Sequence, residues 1–203
     1  MIRTRTIGAC LIAMFAMSAF GTASASAFTL LLSHPAPQLV LAVQIGKHVF
    51  TVEGKKVECN IAHFHALVTI LNSSLVLIKP IYSECTAFGF VNSTVHVNSC
   101  HYTLHIDGKT DIGCPAGREI EILVNNGSSC TIKVKPQTGL QLVTFANVKG
   151  ANGRMGVETK IAIKKIALTS NGKGIGCPAA SATEGEYTGN SIAEGALGDL
   201  LVS

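Results

Sequence analysis

The chain has no tryptophan, and only 5% of its residues are aromatic. Sugar and single-strand nucleic-acid sites are usually built on exposed aromatic planes, and three Tyr and eight Phe in 203 residues supply few of them. Charge is scarce too: 14% of residues are charged, with a formal net charge of +4. So small an excess does not mark a nucleic-acid partner. The short motifs of catalysis are missing. There is no G-x-S-x-G and no H-E-x-x-H. No two cysteines are spaced C-x-x-C, which removes the common zinc and dithiol patterns. Ser170-Asn171-Gly172-Lys173 fits S-x-x-K in letters, but Asn171-Gly172 reads as a turn rather than a helix start. Gly172, Gly174 and Gly176 lack the spacing of a dinucleotide loop, and Asp107 and Asp111 lack that of an EF-hand.

What is present begins with an export signal. Arg3 and Arg5 precede an apolar stretch from Ile7 to Phe20, and small residues ending Ala23-Ser24-Ala25-Ser26-Ala27 follow. This is a charged n-region, a short h-region and an A-x-A cleavage site. The apolar stretch falls short of the ~20 residues of a membrane span. Residues 1–27 are therefore expected to be a signal peptide cleaved after Ala27, with Ala25 the alternative. Residues 28–203 are expected to be a single β-rich extracellular domain, secreted or at the cell surface, with no membrane span. Loss of Arg3 and Arg5 leaves 14 basic against 12 acidic residues, a net charge of +2.

Cys10 leaves with the signal, and Cys59, Cys85, Cys100, Cys114, Cys130 and Cys177 remain. An even number of cysteines in an exported chain predicts a disulfide frame, here three bridges. Six cysteines allow 15 connectivities. Sequence proximity and the likeness of Gly54–Cys59 to Gly172–Cys177 favour the nested set Cys59–Cys177, Cys85–Cys100 and Cys114–Cys130.

The pattern between the cysteines is β throughout. Val49–Glu53, Lys56–Cys59, Val95–Val97 and Tyr102–Ile106 read as strands. Ile120–Val124 and Cys130–Val134 flank Asn125-Asn126-Gly127-Ser128, the best hairpin signal in the chain. Leu140–Phe145 and Thr159–Leu168 read as two more strands, and Ile192–Leu201 as a short helix or a last strand. Asn147–Gly156 reads as a long surface loop, or a subdomain break. The fold class is all-β: an antiparallel sandwich or barrel stapled by about three disulfides.

Histidine offers the one candidate chemistry. His63 and His65 share a strand face, as do His101 and His105. Were their strands adjacent, four imidazoles could converge on a divalent metal. The plainer reading is polar outer strand faces, with no metal and no cofactor. Glu119 and Glu121 opposite Lys133 and Lys135 read as a cross-strand charge ladder rather than paired catalytic acids. Tyr82, Phe88 and Phe90 gather around Cys85 as core packing or as a partner-binding loop. Asn72-Ser73-Ser74, Asn92-Ser93-Thr94 and Asn126-Gly127-Ser128 fit the N-glycosylation sequon.

The runs Glu84–Phe90 and Val95–Leu104, Cys114-Pro115-Ala116-Gly117 with Ile120-Glu121-Ile122, and Cys130-Thr131-Ile132 with Pro136-Gln137 carry a resemblance. Together they resemble a group of uncharacterised bacterial secreted proteins with β-rich, six-cysteine bodies. The resemblance implies a bacterial source and brings no catalytic residues with it. The expected function is that of an exported, non-catalytic structural or partner-binding protein, its partner a protein or cell-surface component. The alternatives are an extracellular enzyme or metal-binding protein using the four histidines, and a disulfide-rich inhibitor or effector acting through a loop at Phe88–Ser93.

Overall fold

The structure is a computed structural model that describes residues 29–33, 36–70, 72–125, 130–150, 153–171, 177–178 and 181–203. The expected signal peptide at 1–27, the expected turn and sequon at Asn126-Gly127-Ser128, and the glycine run at 172–176 lie outside them. The described residues contain no helix; they form antiparallel sheets.

The strands in chain order are β1 (Leu30–Leu32), β2 (Gln38–Gln44), β3 (His48–Val52), β4 (Lys55–Val68), β5 (Asn72–Ser73), β6 (Leu75–Ala87), β7 (Val91–His96) and β8 (His101–His105). They continue as β9 (Thr110–Gly113), β10 (Ile120–Val124), β11 (Cys130–Val134), β12 (Gln137–Leu140), β13 (Val143–Lys149), β14 (Met155–Asn171), β15 (Ser181–Gly195) and β16 (Leu200–Val202). Their alternation is what makes them strands. In β10 and β11, Ile120, Ile122, Val124, Ile132 and Val134 point inward while Glu121 and Lys133 stay outside. Tight turns join them: Glu53 and Gly54 between β3 and β4, and Phe88 and Gly89 between β6 and β7, all take positive φ. Two successive positive φ values suit a two-residue hairpin turn such as that of β3 and β4, whose twist matches that of the strands.

The long strands β4, β6, β14 and β15 run through both ends of the molecule. At one end they join β3, β7, β10 and β11 in a closed circuit. Its order is β3–β4–β6–β7–β10–β11–β14–β15 and back to β3. Eight strands leave an interior that side chains can fill. At the other end β2 is inserted between β15 and β4, β8, β9 and β12 extend outward from β6, and β13 pairs with β14. A three-stranded sheet, β16–β1–β5, adds Leu30, Leu32, Leu200 and Val202 to a second apolar cluster. The two clusters share Ile78, Phe145 and Ala193 at their margins.

The all-β expectation stands, and so do three bridges among the six cysteines, but their pairing is corrected. The bridges are Cys59–Cys85, Cys100–Cys114 and Cys130–Cys177, not Cys59–Cys177, Cys85–Cys100 and Cys114–Cys130. Register is the reason. Cys59 on β4 lies directly opposite Cys85 on β6. Cys100 and Cys114 flank the β8–β9 hairpin, whose outermost pair is His101 with Gly113. Cys130 opens β11 opposite Val124, and its partner strand β14 leads on to Cys177. The expected loop at Asn147–Gly156 is mostly hairpin, with Asn147, Val148 and Lys149 paired to Val157, Gly156 and Met155. The strand expected at Leu140–Phe145 is two strands, broken where Leu142 takes a φ of 84°. Ile192–Leu201 contains the end of β15 and the start of β16, with no helix.

Candidate functional site

The four candidate histidines do not converge. His63 and His65 are exposed on β4, and His101 and His105 are half-buried on β8. Strand β6 lies between them, pairing with β4 on one side and β8 on the other. Two strand steps separate the pairs, about 10 Å. Lys79 stands opposite His65 in the intervening position. His105 is also occupied, its Nε2 lying 2.9 Å from Asp111 Oδ2. A backbone N–H bond from Gly139, with His105 second, holds the Asp111 carboxyl below its ordinary range. Among the described residues no three His, Cys, Asp or Glu are grouped to hold a metal ion. The expected charge ladder is present in Lys133, whose Nζ lies 2.9 Å from Glu121 and 3.6 Å from Glu119.

The aromatics divide. Tyr82 is buried and Phe88 half-buried against the larger cluster, whereas Phe90 at the β6–β7 turn is 83% exposed.

The structure also buries a polar group that strand patterning does not announce. His48, fully buried at the start of β3, bonds Tyr187 and through it is linked to Tyr82 and Tyr102, the other two tyrosines of the chain. Its Nε2 donates to the Asn190 carbonyl at 3.3 Å. That leaves Nδ1 to accept from Tyr187, 2.7 Å away. Tyr187 accepts from Tyr82 at 2.6 Å, and Tyr82 from Tyr102 at 3.1 Å. The result is one directed chain of hydrogen bonds, fed by β8, β6, β15 and β3. Phe50 stacks on Tyr187 at 4.6 Å between ring centroids, and Phe64 packs against His48 at 5.1 Å. Burial pushes His48 down to about 4 and raises Tyr102 to about 12. Tyr82 and Tyr187 are also pushed up by burial. Gly189 is required beside this ring, because a Cβ there would collide with the imidazole. Burial thus favours the neutral form of every member of the network.

The second feature is on the outside. Strand β2 is apolar on both faces: Val40 and Ala42 point in, while Leu39, Leu41 and Val43 are 44%, 41% and 54% exposed. Strands of this kind normally have both faces covered. Leu39 lies opposite Leu67 on β4, and Val43 opposite His63, which in turn faces Ile81 on β6. Leu67 and Ile81 are exposed as well, and Leu77 continues the surface. An apolar plate thus crosses three adjacent strands, with His63, His65 and Lys79 set into it. The segments that build it, Gln38–Gln44, Ile61–Val68 and Leu75–Ser83, contain no Asp or Glu. Glu194 on β15, beside Leu41, lies over Gly150 and Gly156, toward β13 and β14 rather than β2.

Compared with protein-family models, with curated proteins and with solved structures, the chain finds no match.

Proposed function

We propose that the chain is an exported, disulfide-stapled β-protein that works by binding, and that its working surface is the outer face of β2, β4 and β6. The exposed aliphatic plate on these strands carries the reading. A contiguous apolar patch of a few hundred Å² is among the largest a soluble monomer exposes, and such patches are often functional. Three bridges suit an oxidising compartment. The signal-like N-terminus and the resemblance to secreted bacterial proteins support the same location. Among the described residues no helix is long and apolar enough to cross a membrane.

Site-directed photocrosslinking on the secreted protein tests this. A crosslinker at Leu67 is expected to capture an adduct that disappears when Leu41 and Ile81 are changed to serine. A crosslinker at Lys135, exposed beyond β11 on the far side of the closed circuit, is expected to capture none. Equal labelling at both positions, or none at either, would reject this face as the working surface.

A further inference from the structure

The plate has a chemistry of its own, and it narrows the partner. This step rests on the docking reading above. We infer that the β2–β4–β6 face binds an anionic lipid surface.

Three observations lead there. The first is charge. His63, His65 and Lys79 are the ionisable groups of the plate, and every one is a base. Lys79 has no carboxylate within ion-pair distance among the described residues. Bases embedded in an exposed aliphatic field call for a partner that is apolar and negatively charged together. A phospholipid layer with anionic headgroups offers both, acyl chains for the leucines and phosphates for the bases. The lysine stem can lie along the apolar surface while its ammonium reaches the headgroups.

The second is size. Three strands about 4.8 Å apart and seven residues about 3.4 Å apart make a plate of roughly 340 Å² in plan. Each side of a stable protein interface contributes about 800 Å². A plate this small suits shallow insertion better than a lasting protein complex.

The third is self-opposition. A second copy laid face to face would bring two carboxylate-free basic plates together. Like charges brought into apposition weaken such a pairing.

The test is sedimentation of the oxidised mature protein with vesicles. One set is phosphatidylcholine alone, and the other contains about 30% phosphatidylglycerol, an anionic lipid. Co-sedimentation is expected with the anionic vesicles and should weaken as salt is raised. Lys79→Glu is expected to lower partitioning by about fivefold or more, since each basic group near an anionic surface contributes about that factor. Leu41→Ser with Leu67→Ser should abolish it, and Lys135→Glu, the same charge change on the far side, should leave it intact. These side chains point outward, and unchanged thermal unfolding of each variant confirms that folding is not the cause. Equal binding to both vesicle types, or to neither, overturns the inference. A dimer in light scattering that Leu67→Ser dissolves would make a second copy the occupant and also overturn it. Crosslinking at Leu67 to a protein, without vesicle binding, would reject the lipid partner and keep the docking face.

Discussion

His48 shows how much one side chain can impose. Its ring is neutral because it is buried, and its tautomer is fixed because Nε2 donates to Asn190 while Nδ1 accepts from Tyr187. The cost of this arrangement is paid in acid. In the unfolded chain the group takes up a proton near its ordinary 6.5, whereas in the folded protein it waits until about 4. Between those values the unfolded state binds more protons, so stability is full above pH 6.5 and falls as pH drops toward 4. At 1.36 kcal/mol per unit, the loss is about 3 kcal/mol. Denaturant titrations of the protein and of His48→Gln should differ in slope over that window, the variant being flatter. Parallel slopes would mean that His48 does not carry the acid sensitivity. None of this was legible in the sequence. The outward histidines at 63, 65, 101 and 105 sit at visible i, i+2 or i, i+4 spacings, whereas the network joins four residues from four strands. Strand alternation puts Tyr102 on the face opposite His101 and His105, the inner face it shares with Leu104 and Ile106. It could not say what the phenol would meet there.

Elements were easier to read than their neighbours. Strands β10 and β11 follow from their alternation, and they pair from Ile120 with Val134 to Val124 with Cys130, the bounds read from the sequence. The cysteine pairing failed because it depends on which strands are adjacent. One bridge was within reach. The β8–β9 hairpin turns at Asp107-Gly108, and Cys100 and Cys114 lie seven residues either side of Asp107. Cys59–Cys85 instead needs the register of two long strands, and Cys130–Cys177 needs β14 beside β11. The bridges also differ in the loop they close, 14 residues for Cys100–Cys114 against 47 for Cys130–Cys177. In the chain-entropy account these contribute about 3 and about 4 kcal/mol. Replacing both cysteines of the longer loop with serine should therefore lower the denaturation midpoint more than replacing those of the shorter. The reverse order would show that local packing, not loop closure, sets their value.

For the molecule as a whole, closure separates two kinds of edge. Every strand of the eight-membered circuit is paired on both sides, while β12 and β13 each pair with a single neighbour at the open end. Closed sheets have no edge from which to fray. Native-state hydrogen exchange is expected to show β3, β10 and β11 opening only with global unfolding, and β12 and β13 opening earlier. Uniform protection would mean that the two ends unfold as one unit. Composition and alternation sufficed for the all-β class. They did not reveal the ring, because its seam joins β3 near one end of the chain to β15 near the other.

That seam sets an order of events. A polypeptide emerges from the ribosome N-terminus first, so Phe50 must wait for Tyr187 before its second neighbour exists. Until then β3 presents an unpaired edge, and the inner side of the plate strands lacks much of its cover. The cysteines at 59, 85, 100 and 114 are already out by that stage and can pair across strands that precede the seam. Cys130 cannot, since its partner arrives only ten residues ahead of Tyr187. The last bridge and the closing strand therefore come together, and a chain interrupted before Cys177 would be left as an open sheet with two of its three bridges.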